Sequence, residues 1–279
     1  MRILILGTDG MLGADALHRL GGSRSSTAEV VGTTRLPHVA SACPSEMLLL
    51  RDVRAFDAVE AVLDRVRPQT VLNCVAVLNA RDDDRDAMRD VNAEFPHRLA
   101  SAARDRGARV IHISTDGVFS GRHGPYDESS EPHPPDSYGQ TKLAGELRDP
   151  PHLTVRTSII GRSPSGAGLL DWAVARRGTV VDGFANVLWS GVTTSELVRL
   201  LEPQLLDSSA MTGLAHVVSE GVSKAELLRR LSSSFGLDLD VVDVAEPVID
   251  RRLVSNRGDD ALRALPLDVQ LAALASGGR

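Results

Sequence analysis

Arg2-Ile3-Leu4-Ile5-Leu6-Gly7-Thr8-Asp9-Gly10-Met11-Leu12-Gly13, near the start of the 279-residue chain, is a short apolar run that passes directly into a glycine-spaced turn. The run shows no polar alternation, so it reads as a strand buried on both faces. The amphipathic stretch from Gly13 to Leu20 then reads as a helix. Glycine suits a tight turn, a close approach of backbone to phosphate, and a helix packed onto its strand. The start of that helix offers free amides and the positive end of a dipole. GxxGxxG at a strand-helix junction therefore predicts nucleotide binding through Gly7, Asp9, Gly10, Met11, Leu12 and Gly13, the plainer alternative being a glycine-rich turn.

The alternation continues. Apolar runs recur at Val30 to Thr33, Thr70 to Val77, Arg109 to Ile113 and Thr154 to Ile160, with helical patterns at Phe56 to Val66, Asn92 to Arg106 and Tyr138 to Arg148. Alternating β and α elements predict an α/β, doubly wound parallel sheet. It is expected over residues 1–160, with some later segments returning to it, and 161–279 is expected to form mainly a smaller C-terminal lobe. Gly121 to Asp136, rich in Pro, Gly, Ser and acids, reads as a long loop over a site, and Ser163 to Gly168 as a flexible loop. Helices are expected at Thr194 to Leu206 and, capped by Ser223, at Lys224 to Phe235, with a frayed tail from Ala272 to Arg279.

Composition limits the partners. A net charge of −6 argues against a nucleic-acid polymer or an anionic membrane as ligand, while local arginines and amides still permit a phosphate. Cys43 and Cys74 make no disulfide framework, and the eight histidines show no metal-ligand spacing. No apolar stretch approaches 18 residues and no charged leader is seen, so a reducing, cytoplasmic setting is expected.

The second strand ends Gly32-Thr33-Thr34-Arg35, where Asp or Glu would bind a ribose 2′-hydroxyl; Thr34 and Arg35 suit a 2′-phosphate instead. That favours NADPH, with NADH possible, unless Arg35 only caps the sheet edge. Asp52 and Val53 follow the next apolar run and could receive an adenine, or Asp52 could be a solvated loop residue. Cys74, Val75 and Ala76, late in the run Thr70 to Val77, and Asn92 complete the expected cofactor positions.

The chemistry concentrates at Ser137-Tyr138-Gly139-Gln140-Thr141-Lys142. Arginine supplies 29 of the 31 basic residues, so a lysine here is notable. The i,i+4 spacing puts Tyr138 and Lys142 on one helix face, where an ammonium can lower a phenol's pKa from about 10. A surface pair is the bland alternative. Strand Arg109 to Ile113 leads into Ser114-Thr115-Asp116-Gly117-Val118-Phe119-Ser120-Gly121, which places a hydroxyl at a carboxyl end facing the ligand crevice.

The GxxGxxG loop, STDxVFSG and YGxTKLxGE at Tyr138 to Glu146 together resemble the extended short-chain dehydrogenase/reductase superfamily, nearest its dTDP-4-dehydrorhamnose reductase-like sugar-nucleotide reductases. Val91-Asn92-Ala93, Val155-Arg156-Thr157-Ser158 and the segment from Gly183 to Thr194 extend the likeness over most of the chain. The resemblance implies a Rossmann-type NADP-binding domain and a substrate-binding lobe. It implies Thr115 as the catalytic hydroxyl, with Ser114 the neighbour one position away, Tyr138 as acid/base, and Lys142 on the nicotinamide ribose. The implied reaction is NADPH-dependent reduction of a 4-keto-6-deoxy nucleotide sugar. An NAD-dependent epimerase and a non-catalytic NADP-binding regulatory subunit are the rivals.

Gly117 departs from the pattern. Related dehydratases carry an acid there and epimerase-reductases a cysteine, so glycine favours plain reduction. A tyrosine common there in dTDP-4-dehydrorhamnose reductases is missing too, and Ile159 replaces a tryptophan, which leaves the sugar open. Thr115, Asp116, Gly117, Asn186, Trp189 and Arg251 are the expected substrate positions. Trp189 could equally be core, Asn92 a structural tie, and Arg251 or Arg252 a solvated turn. A homodimer through the helix from Asn92 to Arg106 is possible.

Overall fold

A computed structural model of the chain describes residues 1–22, 28–37, 46–78, 85–207, 211–258 and 262–277; Cys43 and the last two residues of the tail lie outside them. Strand β1 (Arg2–Leu6) leads into helix α1 (Met11–Gly22), β2 (Glu29–Thr34), β3 (Glu46–Leu49), α2 (Phe56–Val66) and β4 (Thr70–Asn73). Next come α3 (Arg85–Arg89), a π turn (Asp90–Glu94), α4 (Phe95–Arg104), β5 (Arg109–Thr115), α5 (Ser137–Ala144), β6 (Leu153–Thr157) and β7 (Ile159–Ile160). The chain continues as α6 (Leu169–Ala175), β8 (Val180–Phe184), β9 (Val187–Trp189), β10 (Val192–Thr193), α7 (Thr194–Leu206) and β11 (Gly213–His216). It ends with β12 (Val222–Ser223), α8 (Lys224–Phe235), β13 (Asp240–Val244), β14 (Ile249–Asp250) and α9 (Leu267–Ser276).

Among the described residues a seven-stranded sheet runs β11-β6-β5-β4-β1-β2-β3, parallel at every pairing. Ile3 to Leu6 are all fully buried, as the unbroken apolar run requires of a central parallel strand. Alternate β1 side chains serve two cores: Ile3 and Ile5 pack with α1 and α7, and Leu4 and Leu6 with α2 and α4. A third core, of Leu170, Trp189, Leu227, Leu231, Leu271 and others, belongs to α6, α8, α9 and the small sheets around them.

Several boundaries differ from the sequence reading, each for a local reason. The run from Thr70 to Val77 leaves the ladder at Asn73, whose side-chain Oδ1 accepts the Val75 amide at 3.1 Å in an Asx turn. The run from Thr154 to Ile160 splits at Ser158, and β7 pairs with β10 rather than extending the main sheet. The helix expected from Tyr138 to Arg148 stops at Ala144, because Gly145 lies so close to the Asn92 carbonyl that a Cβ would sit 2.0 Å from it. The tail is not frayed at Ala272: α9 runs to Ser276 and buries Leu271 and Leu274. Ser223 does cap α8, accepting the Glu226 amide at 3.1 Å.

Beyond the end of α5 the chain turns a carboxylate inward. Glu146 accepts from Arg156 Nε at 2.7 Å and Nη2 at 2.8 Å, from the Ser114 hydroxyl at 2.8 Å, and from Arg148 Nη2 at 2.9 Å. The Arg156 side chain is 0 % exposed and that of Glu146 1 %. Breaking a buried pair strands the surviving charge and costs about 3–5 kcal/mol, whereas removing both charges costs far less. Arg156→Leu should therefore lower unfolding free energy in urea by about that much, and Glu146→Leu with Arg156→Met should recover most of the loss.

Candidate active site

The carboxyl ends of β1, β2 and β4 border a cleft of about 500 Å³. Gly7, Asp9, Gly10, Met11, Arg35, Asp52, Val53, Cys74, Val75 and Ala76 all line it. Gly7 has φ +85°, and a Cβ on Gly13 would fall 2.2 Å from Gly7 O, so the loop folds back on itself only with glycine at both positions. The first amides of α1 have no helical carbonyl to bond, which suits a pyrophosphate over the loop.

Asp9 closes this loop onto β2. Its carboxylate accepts the Thr34 hydroxyl and, at 2.8 Å, the Arg35 amide, with Arg35 Nε 3.5 Å away. Arg35 stands at the rim with its side chain 72 % exposed. Asp52 is chelated by Arg54 through Nε and Nη2, and those bonds hold its carboxyl below the usual range. Burial pushes the Cys74 thiol up to about 12.

Three predicted cofactor residues stand behind the wall. Thr34 is 1 % exposed and spends its hydroxyl on Asp9; Leu12 packs in the core, leaving only its backbone for a ligand. Asn92, fully buried in the π turn, accepts the Val77 amide at 2.9 Å and donates to Val77 O at 2.8 Å and Thr141 Oγ1 at 3.3 Å. Both ends of its amide are used in tying the cleft wall to α5, so it is a structural tie.

Beside the cleft, Thr115 ends β5, Tyr138 sits in the first turn of α5, and Lys142 lies one turn further on. Asp136 starts α5 by accepting the Gly139 amide at 2.8 Å. The Thr115 hydroxyl donates to Asp116 Oδ1 at 3.1 Å and accepts the Gly117 amide at 3.0 Å. A Cβ on Gly117 would lie 3.3 Å from Thr115 Oγ1 and 3.7 Å from Tyr138 Cδ1, so Gly117 faces the space between the two hydroxyl-bearing side chains. Burial raises the Tyr138 phenol to about 12; hydrogen bonding to Thr115 opposes this, and Asp116 and Asp136 reinforce it.

Lys142 does not act as the helix-face pairing suggested. Its Nζ donates to Ile113 O at 2.7 Å and stands 3.2 Å from His112 Nε2, and burial brings its pKa down to about 8. The contact with His112 was not legible in the sequence; the one signal was its place two residues before Ser114, on the strand that leads into STDxVFSG.

The predicted substrate residues divide in the same way. Burial raises the Asp116 carboxyl, while Lys224 and Arg251 lower it. Arg251 Nε is buried without a hydrogen-bond partner. Arg252 pairs with Asp250 at 2.7 Å and is spent there. Trp189 is core, 3 % exposed, with Nε1 donating to Ser158 Oγ at 2.8 Å. Asn186 is exposed and ties its turn to Ala245 O at 2.9 Å. Lys224 was missed as a site residue. Its Nζ lies 5.0 Å over the Trp189 ring, and it lines a second cleft, of about 950 Å³, with Leu169, Trp172, Phe184 and Val187. Its signal was being the only other lysine of the chain.

Lowering Lys142 from an ordinary 10.5 to about 8 makes its charge unfavourable in the folded state. The unfolded chain binds more protons between those values, so stability rises as pH increases through them, by about 3 kcal/mol for this one group. In Lys142→Met that rise should vanish. Urea unfolding of both proteins from pH 7 to 11 reads the difference.

A stretch of 150 residues is 37% identical to a dTDP-4-keto-6-deoxy-D-glucose reductase of Streptomyces niveus, covering 52% of this chain and 46% of the relative. A dTDP-4-dehydrorhamnose reductase of Mycolicibacterium smegmatis is 32% identical over 225 residues, 76% of this chain and 62% of the relative. The chain thus spans about half to three-fifths of the length of these curated relatives. A dTDP-4-dehydrorhamnose reductase of Bacillus anthracis, solved in complex with NADP, superposes with a TM-score of 0.78 at 21% identity, covering 100% of this chain and 99% of that one, and shares the fold. The family model of the RmlD substrate binding domain matches residues 1–171, which hold the glycine loop, Thr115, Tyr138 and Lys142, and the chain belongs to that family.

Proposed function

We propose that the protein reduces the keto group of a 4-keto-6-deoxy nucleotide sugar with NADPH, NADH being the second donor the site admits. The observation that carries this reading is the pairing of Thr115 and Tyr138 across Gly117, a position that has no side chain to serve as a further acid or base. Elimination, and epimerisation at a carbon beside a carbonyl, need a further group to move a carbon-bound proton; reduction of a carbonyl needs only a proton donor and an oxyanion partner.

The glycine cradle and the unbonded first amides of α1 fit a dinucleotide pyrophosphate, Arg35 a 2′-phosphate at the rim, Asp52 and Val53 an adenine, and Lys142 a ribose. Bound there, NADPH supplies the hydride. A phenol held near 12 keeps its proton at neutral pH and is therefore set as an acid rather than a base. Tyr138 supplies the proton to the new alkoxide. Thr115, whose hydroxyl hydrogen lies on Asp116, can turn it to the same oxygen. Asp116, Arg251 and Lys224 then face the sugar and its diphosphate, and the names of the relatives support this substrate class.

With purified protein, NADPH and a dTDP-4-keto-6-deoxyhexose, the nicotinamide absorbance should fall. Tyr138→Phe should cut kcat by about 10²–10⁴ and Thr115→Val by about 10². Absence of consumption across a panel of 4-keto nucleotide sugars would sink the reading. Arg35→Ala should lower the NADPH-to-NADH ratio of kcat/KM about tenfold or more, as expected for losing a charged phosphate contact.

A further inference from the structure

Lys142 is backed by a buried chain of polar groups that the proposed reaction leaves unused. Asn73 and His112 occupy facing positions on β4 and β5, and both are 0 % exposed. Asn73 Oδ1 is claimed by the Val75 amide at 3.1 Å, so its Nδ2 is the atom turned to His112 Nδ1, also at 3.1 Å. An amide nitrogen only donates. His112 Nδ1 must therefore accept, and a neutral imidazole that accepts on Nδ1 carries its proton on Nε2. That N–H points at Lys142 Nζ, 3.2 Å away. An ammonium has no lone pair to receive it, whereas a neutral amine has one.

We propose that His112 is a positioning residue acting through Lys142: locked by Asn73 and the Val75 amide as the Nε2–H tautomer, it presents a donor to Nζ and so favours the uncharged amine. Lys142 then gives up and regains its proton near neutral pH instead of being a fixed cation, still donating to Ile113 O in either state. The other titratable groups facing the pair are Cys74 on the loop after β4, Glu146 beyond α5 and His97 on α4. Glu146 and Cys74 favour the ammonium, and Glu146 is already engaged by Arg156 and Arg148. They oppose the proposed effect and cannot be its source. Burial holds His112 itself well below the usual range, with Lys142 and His97 adding to it, so the imidazole is neutral.

The functional consequence rests on Lys142 serving the reaction proposed above, but the protonation claim can be read without turnover. The chain has two lysines, so lysine labelled at Cε gives two NMR titration curves, and Lys224→Arg assigns them. In the full chain without added cofactor, ¹⁵N shifts of His112 should report Nδ1 bare and Nε2 protonated. Asn73→Asp puts an acceptor on Nδ1, moves the imidazole proton there and leaves Nε2 bare toward Lys142. The lysine midpoint should then rise by about one pH unit or more, a tenfold change in proton affinity. A buried carboxylate alone would also raise it, so the same substitution is made in His112→Leu, where the rise should be smaller. His112→Gln, whose carbonyl can turn to Nζ, should raise the midpoint as Asn73→Asp does. An Nδ1–H tautomer in the parent protein overturns the proposal without any variant having to fold. Equal rises with and without the imidazole overturn it too. If the enzyme reduces its substrate, the pH profile of kcat should shift with the lysine midpoint; if it reduces none, the NMR result still decides the tautomer.

Discussion

The carboxylate of Glu146 fixes the distance between the two halves of the proposed catalytic constellation. Tyr138 and Lys142 ride on α5, while Thr115 sits at the end of β5, and nothing in the ladder of the sheet holds a helix at a set height over a strand. Glu146 supplies that register by accepting from Ser114, the residue beside Thr115, and from Arg156 on the neighbouring strand. Charge-assisted bonds in a dry interior are short and directional, so they resist small displacements better than apolar packing does. Gly145 lets α5 come close enough, its backbone lying against the Asn92 carbonyl. Asn92 in turn holds Val77, in the loop after β4, and Thr141 of α5, which ties the cleft wall to the helix that bears Tyr138.

Where a residue's role follows from periodicity or local turn chemistry, it was legible in the sequence. β1, α2, α7 and α8 have the boundaries that apolar spacing and the Ser223 cap predict, and the glycine loop opens on a cleft as its spacing requires. What could not be read depends on contacts far apart along the chain. β11 joins the main sheet beside β6, 56 positions after that strand ends, and Gly213 to His216 alone carries too little pattern to say so. α9 looked like a loose tail because Ala and Gly dominate its end, yet Leu271 and Leu274 complete the third core. Thr34, Leu12 and Asn186 sit where the sequence places ligand contacts, but their side chains turn to Asp9, to the core and to Ala245. A motif identifies a backbone position; which way the side chain faces is decided by its neighbours.

The same distinction explains the lysines. In a chain that uses arginine for 29 of its 31 basic residues, surface ion pairing is left to guanidinium groups, as in Arg106 with Asp64 and Arg230 with Glu226. A guanidinium is always charged and presents a planar fork; an ammonium is compact and loses its proton when desolvated. Both lysines here are at sites where that difference counts. Burial lowers the pKa of each, Lys142 beside His112 and Lys224 over Trp189 at the second cleft.

Lys224 also acts on Asp116, the acid that receives the Thr115 hydroxyl. Lys224 and Arg251 each favour its ionised form without forming an ion pair with it among the described residues, so its charge is balanced at a distance rather than cancelled by contact. A carboxylate so placed keeps its oxygens open to hydroxyl donors, and the two cations keep N–H groups for anionic or hydroxyl acceptors. Contact pairing would have closed that space, as it does at Arg252 with Asp250. Donors and acceptors kept apart in this way suit a ligand whose hydroxyls both give and accept hydrogen bonds, as those of the proposed sugar do.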